Sequence, residues 1–231
     1  SYQLSTGEFP GIYSVEKAIG SNVSAGEQLN LINQLPQTVR ERVSGIKIPV
    51  GAEKTVVIDN LQYLTAGGQS STRVKIASMT GFSEHTVIKS GRMYCEGGIS
   101  EDGVYEAVAS EAALKSLGII LGGEYDVRSV DTSRPALKVR IVGIYEQSDP
   151  NDIYWSETMD RYINALFFDY GCFSEKLLSG GNIQLTDIAV RYAFSYQSMD
   201  MNDLPSVTAA ISEDFDYYKS LGYSFSMGVS D

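Results

Sequence analysis

The sequence predicts an α+β fold in two lobes, and three observations carry that reading. Apolar residues recur every three or four positions in two stretches, Leu29 to Val43 and Leu204 to Leu221, the period of a helix with one buried face. Elsewhere they alternate strictly, as in Ile188, Val190, Tyr192, Phe194 and Tyr196, the period of a strand buried on one side. The first and last thirds combine both periods, whereas the middle third is rich in strands. One lobe is therefore expected from residues 1–82 and 171–231, with a second lobe, residues 83–170, inserted into it.

In chain order, a Gly/Pro-marked lead, Thr6-Gly7-Glu8-Phe9-Pro10-Gly11, comes first. Leu29, Ile32, Leu35, Val39 and Val43 then share one helical stripe. Pro36 falls inside it and is expected to break or kink it, or to open a second short helix. Ser44-Gly45 closes the segment. Val56-Val57-Ile58 and Val74/Ile76 read as strands, separated by the loop Ala66-Gly67-Gly68-Gln69-Ser70-Ser71.

The middle opens with a short strand, Tyr105 to Ala109. Ser110 is placed to cap a helix carrying Ala112-Ala113-Leu114, and Gly118 to stop it. Tyr125-Asp126-Val127 and the alternating Leu137–Val142 are expected to pair antiparallel about the turn Asp131–Pro135. At the end of the chain, Asp203 is placed to cap a helix with Leu204, Val207, Ile211, Phe215, Tyr218 and Leu221 on one stripe. Gly222 stops it, and Tyr223, Phe225, Met227 and Val229 form the next strand. Strand, helix, strand over this length suits a βαβ unit with parallel strands.

The chain has 231 residues, enough for one large domain or two modest ones. Its formal net charge is -11, from 18 basic and 29 acidic side chains. That balance excludes nucleic acid, whose phosphates need a basic face, and an anionic lipid surface for the same reason. No run approaches the roughly 18 apolar residues of a membrane span. The first residues carry no basic segment followed by an apolar one, and the chain starts without Met, so it is expected to be a piece of a larger protein.

Residues for chemistry are sparse. The sole histidine, His85, lies two residues from Ser83, but no G-x-S-x-G elbow surrounds it. Glycine-rich phosphate loops of either common pattern are absent, and Gly97-Gly98 and Gly122-Gly123 read as turns. Cys95 and Cys172 form no C-x-x-C pair and have no histidine beside them, which argues against zinc. One disulfide and two buried thiols remain alternatives. No catalytic, cofactor-binding or metal-binding residue stands out.

One acidic loop offers a contact site. Asp149-Pro150-Asn151-Asp152 precedes Ile153-Tyr154-Trp155. Its oxygens are too irregularly spaced for an EF-hand, so a turn built on Asp and Pro is the expectation rather than a calcium site. Tyr154 and Trp155, read as exposed, would anchor a partner protein, with Asp149 and Asp152 beside them.

Several phrases in the middle of the chain resemble a known family. Val87-Ile88-Lys89-Ser90-Gly91-Arg92 is similar to a strand-then-Gly-Arg step, and residues 106–118, EAVASEAALKSLG, to a valine-rich strand leading into S-E-x-x-A/L and L-G. Gly122 or Gly123 then opens a strand, Val139–Tyr145 follows as V-x-V-V-G-I/V-Y/F, and Asp149–Trp155 resembles D-P-x-D-x-Y-W. In this order, over roughly residues 80–155, they resemble the extracytoplasmic, MacB-like periplasmic core domain of FtsX-like ABC-transporter permeases.

The resemblance implies a Porter-like lobe from both chain ends and an inserted, Sabre-like, strand-rich lobe. It also implies a non-catalytic module on the extracytoplasmic face, held between two permease membrane helices. Its partners would be those helices, through them a cytoplasmic ATPase subunit or domain, and a second permease chain. The module would couple helix motion to the handling of substrate or partner protein. Two other classes compete. A free-standing secreted or surface module for peptide or sugar predicts a concave aromatic-lined pocket. An acidic hydrolase predicts converging carboxylates in a cleft.

Overall fold

The computed structural model describes residues 11–66, 71–156, 159–195 and 200–229. Thr6–Pro10 of the lead, Gly67–Ser70 of the loop and Tyr196 lie outside the described residues. Among these residues ten strands form: β1 (Gly11–Ala18), β2 (Val50–Thr65), β3 (Thr72–Met79), β4 (Thr86–Gly91), β5 (Tyr105–Ala109), β6 (Glu124–Ser129), β7 (Leu137–Gln147), β8 (Ala165–Phe167), β9 (Asp187–Phe194) and β10 (Ser224–Val229). Three α-helices accompany them: α1 (Ala25–Val43), α2 (Glu111–Leu117) and α3 (Leu204–Ser220). The class is α+β, as the two periods predict.

The strands join in the order β10-β1-β9-β2-β3-β8-β5-β7-β4, and β6 pairs with both β2 and β7. These pairings close a ring of six strands, β2-β3-β8-β5-β7-β6. Val74, Ile76, Ala107, Val127, Val139, Ile141 and Leu166, one or two from each ring strand other than β2, belong to a single buried cluster, joined from β2 by Leu64. That is the side-chain filling a small barrel requires.

The long strand β2 serves two neighbours in turn. Its first part, through Ile58, pairs with β9, and Gln62 to Thr65 pair with β6. The changeover coincides with a bulge between Asp59 and Gln62. Asp59 is wholly buried there and accepts hydrogen bonds from Leu61 N (2.8 Å), Gln62 Nε2 (2.7 Å) and Gln184 N (2.9 Å). Burial pushes its carboxyl up, against the pull of these donors.

Helix α1 opens with a reciprocal cap. Ser24 Oγ accepts from Glu27 N at 3.3 Å, and the Glu27 carboxylate accepts from Ser24 N at 2.9 Å. It then runs unbroken through Pro36, contrary to the expected break. Losing one backbone bond at a proline costs about 3 kcal/mol. Burying Ile32, Leu35, Val39 and Val43 on one stripe offsets that, at roughly 1.5–3 kcal/mol per side chain. In α2, Ser110 Oγ accepts from Ala113 N and Gly118 takes a left-handed φ of 65°, as the sequence indicates.

The C-terminal unit differs from the simple expectation in one respect. β9 and β10 run in the same direction, but both pair antiparallel with β1, which lies between them. The crossover through α3 thus spans a strand supplied by the other end of the chain. The α3 stripe is only partly covered: Val207 and Tyr218 are buried, while Leu204, Phe215 and Leu221 remain exposed. The helix rests on β10, at the edge of the sheet, and an edge strand is too narrow to cover the whole stripe. Asp203 occupies the cap position without capping, because its carboxylate pairs with Lys47 at 3.0 Å.

Asp214 anchors α3 instead. It is buried, accepts from Tyr13 Oη at 2.7 Å, and lies 3.0 Å from Arg42 Nε of α1. Arg42 also stacks over Tyr217, 3.6 Å from the ring centre. Leu137–Gln147 and Glu124–Ser129 pair antiparallel as expected. A second buried cluster, including Val56, Met79, Phe82, Tyr145, Trp155 and Phe167, lies apart from the first.

Candidate functional site

The acidic loop folds as a turn. Asp149 Oδ1 accepts from Asn151 N at 2.8 Å, and Asp152 Oδ1 from Tyr154 N at 2.9 Å. Asp152 also meets His85 Nδ1 at 2.6 Å through its other oxygen. The His85 ring stacks flat on Tyr154, with centroids 3.9 Å apart.

Exposure of the two aromatics is corrected. Tyr154 and Trp155 are 2% and 7% exposed. Tyr154 Oη donates to Thr80 O at 2.8 Å, and Trp155 Nε1 donates to His85 O at 2.8 Å. Their rings pack with Phe82 in the second cluster, and Lys54 reaches the Tyr154 carbonyl. Amphipathic rings bury readily when the one polar atom finds a partner. They seal the sheet face, and of the four loop residues Asp149 lies on the surface and Asp152 only in part. His85 belongs to this seal; Ser83 instead donates to Glu84.

A groove of about 420 Å³ runs beside α1. Its walls are Asn33, Pro36, Gln37 and Arg40 of the helix, the Thr80–Gly81 turn and Tyr170, over Thr55 and Tyr192 of the sheet. Arg40 pairs with Glu53 at its mouth, at 2.8 Å. Burial, with a hydrogen bond to Glu53, pushes the Tyr192 phenol up to about 12. No local motif marks these residues in the sequence; helix, turn and strand bring them together from five separate segments.

Three phrases of the middle region meet at one node. Arg92 forms a two-pronged pair with Glu106, its Nη1 lying 2.7 Å from Oε2. Cys95 N donates to the same oxygen at 2.8 Å. Arg92 N donates to Val142 O at 2.8 Å, and a Cβ on Gly143 would lie 2.1 Å from Arg92 O. The close approach explains the glycine inside β7, where the pairing with β5 shifts register between Ala107 and Val108. The guanidinium holds the Glu106 carboxyl down at about 2.

The described residues hold no group of three or more His, Cys, Asp or Glu arranged for a metal ion. Cys95 and Cys172 are free thiols, the first half-buried and the second buried. Among the described residues no helix is long and apolar enough to cross a membrane.

No family model matches the sequence, and no curated protein matches it significantly. Solved structures do match. One is the periplasmic region of MacB from Actinobacillus actinomycetemcomitans, at 13% identity and a TM-score of 0.46, covering 94% of this chain and 88% of that one. Another is a domain assigned to a permease protein from Porphyromonas gingivalis, at 12% identity and a TM-score of 0.41, covering 96% and 87%.

Proposed function

We propose that this chain is the extracytoplasmic module of an FtsX-like ABC-transporter permease. It works without catalysis, by carrying motion from membrane helices to a substrate or partner protein. One observation carries the reading. β1 and β10 are neighbours and antiparallel, with Gly11 opposite Val229, so the described chain enters and leaves at one end of one sheet edge. A module joined to two neighbouring membrane helices needs that geometry. In such a pair the Cα atoms lie about 5 Å apart, so a shift of either helix would reach both strands together.

The interlocking of Arg92, Glu106 and Gly143 adds support, because three of the family-like phrases pack against one another. The strand order supports the proposed two-lobe division. β4 to β8, all from residues 83–170, pair among themselves, and β1 to β3, β9 and β10 come from the flanks. β2 and β3 complete the six-strand ring, so they form the joint between the lobes.

The test is the full reading frame with topology mapping. Apolar segments of about 18–25 residues should lie on both sides of the module. Cysteines placed in it should react with a membrane-impermeant maleimide added from outside the cell. Absence of either segment, or labelling only after lysis, overturns the reading. The groove beside α1, with Tyr170 and Tyr192 in its lining, favours a second reading as a secreted peptide- or sugar-binding module. That reading requires a cleavable leader and no downstream span.

A further inference from the structure

We propose that Cys95 and Cys172 are a redox pair, which an oxidising environment closes into a disulfide tying the loop before β5 to the π-helical segment Cys172–Leu178. The chain has two cysteines, far apart in sequence, and the fold sets Gly98, three residues after Cys95, against Cys172. Cys95 begins a turn that ends at Gly98, whose N–H donates to Cys95 O at 2.9 Å. Gly98 lies directly on Cys172: a Cβ there would sit 2.8 Å from Cys172 Cβ and 2.9 Å from its Sγ. Lys176, from the same π-helical segment, donates to Gly97 O at 2.8 Å and holds the turn down. Gly97 and Gly98 have φ of 72° and 65°, so the turn carries no side chain where it crosses Cys172.

Cys95 Sγ now contacts Ile99 O at 3.2 Å and has to rotate away from it. The unequal burial of the two thiols sets the order of steps. A low-molecular-weight disulfide serves as oxidant. The Cys95 thiolate, half-exposed, attacks one of its sulfurs and expels a small thiolate, which takes up the proton that Cys95 released. Cys172, buried out of reach of the oxidant, then loses its proton and attacks Cys95 Sγ, and the second small thiolate leaves with that proton. Two electrons have passed from the protein to the oxidant. Burial pushes the Cys172 thiol up to about 12, so closure should accelerate as pH rises. None of this depends on the chain's being a permease module.

The test uses the unmodified protein with oxidised glutathione. The product should be a monomer lighter by two hydrogen atoms, with no alkylatable thiol after denaturation and a Cys95–Cys172 cross-linked peptide on digestion. Its Tm should rise by about 5–10 °C, and dithiothreitol should reverse the rise. Cys172→Ser should stop at a glutathione adduct on Cys95. If the unmodified protein also stops there, keeps two alkylatable thiols, or links into dimers, the proposal fails.

Discussion

Arg92 sits half in water and its partner Glu106 wholly out of it, with side-chain exposures of 56% and 0%. Removing the arginine strands a buried carboxylate that keeps only its contacts with Cys95. Arg92→Ala should therefore destabilise the protein by about 3 kcal/mol at neutral pH, measured by urea unfolding. The pH dependence follows from the lowered carboxyl. The pair's contribution is complete above the ordinary glutamate value of 4.5 and is lost as pH falls from there toward about 2. The penalty of Arg92→Ala should shrink over that window; a penalty constant down to pH 2 would contradict the account. Gly143 faces a simpler constraint. Gly143→Ala puts a methyl group against Arg92 O and should cost about 2–3 kcal/mol, with the Arg92–Glu106 pair displaced.

At the scale of elements, α1 shows burial overruling local preference. Its stripe was legible from spacing, and so was the obstacle at Pro36. Whether the helix would survive the proline depended on how much apolar surface β9 and the π-helical segment offer it, which local sequence does not carry. Pro36→Ala should restore an N–H to the helix and raise stability by about 1–2 kcal/mol, less than the full proline penalty because the unfolded chain also gains freedom. An unchanged or lower midpoint would mean that the helix is already relaxed around the ring. In α3 the balance falls the other way. Asp214 interrupts the polar face with a buried carboxylate, and its partners Tyr13 and Arg42 lie far off in sequence. The alternation of apolar residues along α3 gives no sign of it.

Across the whole molecule, the larger buried cluster runs through both sets of strands. It includes Tyr13, Val190 and Phe194 from the flanks, and Ala107, Val139 and Ile141 from the middle. Such a core should melt as one unit. Calorimetry is expected to give a single transition whose van't Hoff and calorimetric enthalpies agree, and two resolved transitions would show that the lobes are energetically separate. On the proposed function, strands β2 and β3 would join the two lobes, and motion entering at β1 and β10 would be passed on as a rigid-body displacement rather than absorbed by bending.

Sequence by itself determined the class and many of the elements, though not β1, β8 or the π-helical segment. Periods of two and of three to four residues placed strands such as β7 and β9 and the helices α1 and α3, because they report which face of each element is apolar. Ser110 and Gly118 marked the ends of α2, because caps are local chemistry. The order of phrases from Val87 to Trp155 was also readable, and their roles as turns and strand starts follow from glycine and cap geometry. Tertiary structure alone decided the rest. It placed β1 between β9 and β10, closed six strands into a ring through β6, and turned Tyr154 and Trp155 inward. It also set Gly98, three residues after Cys95, against Cys172. Each of these depends on which distant surfaces meet, and a period along the chain records a residue's facing direction but not the identity of what it faces.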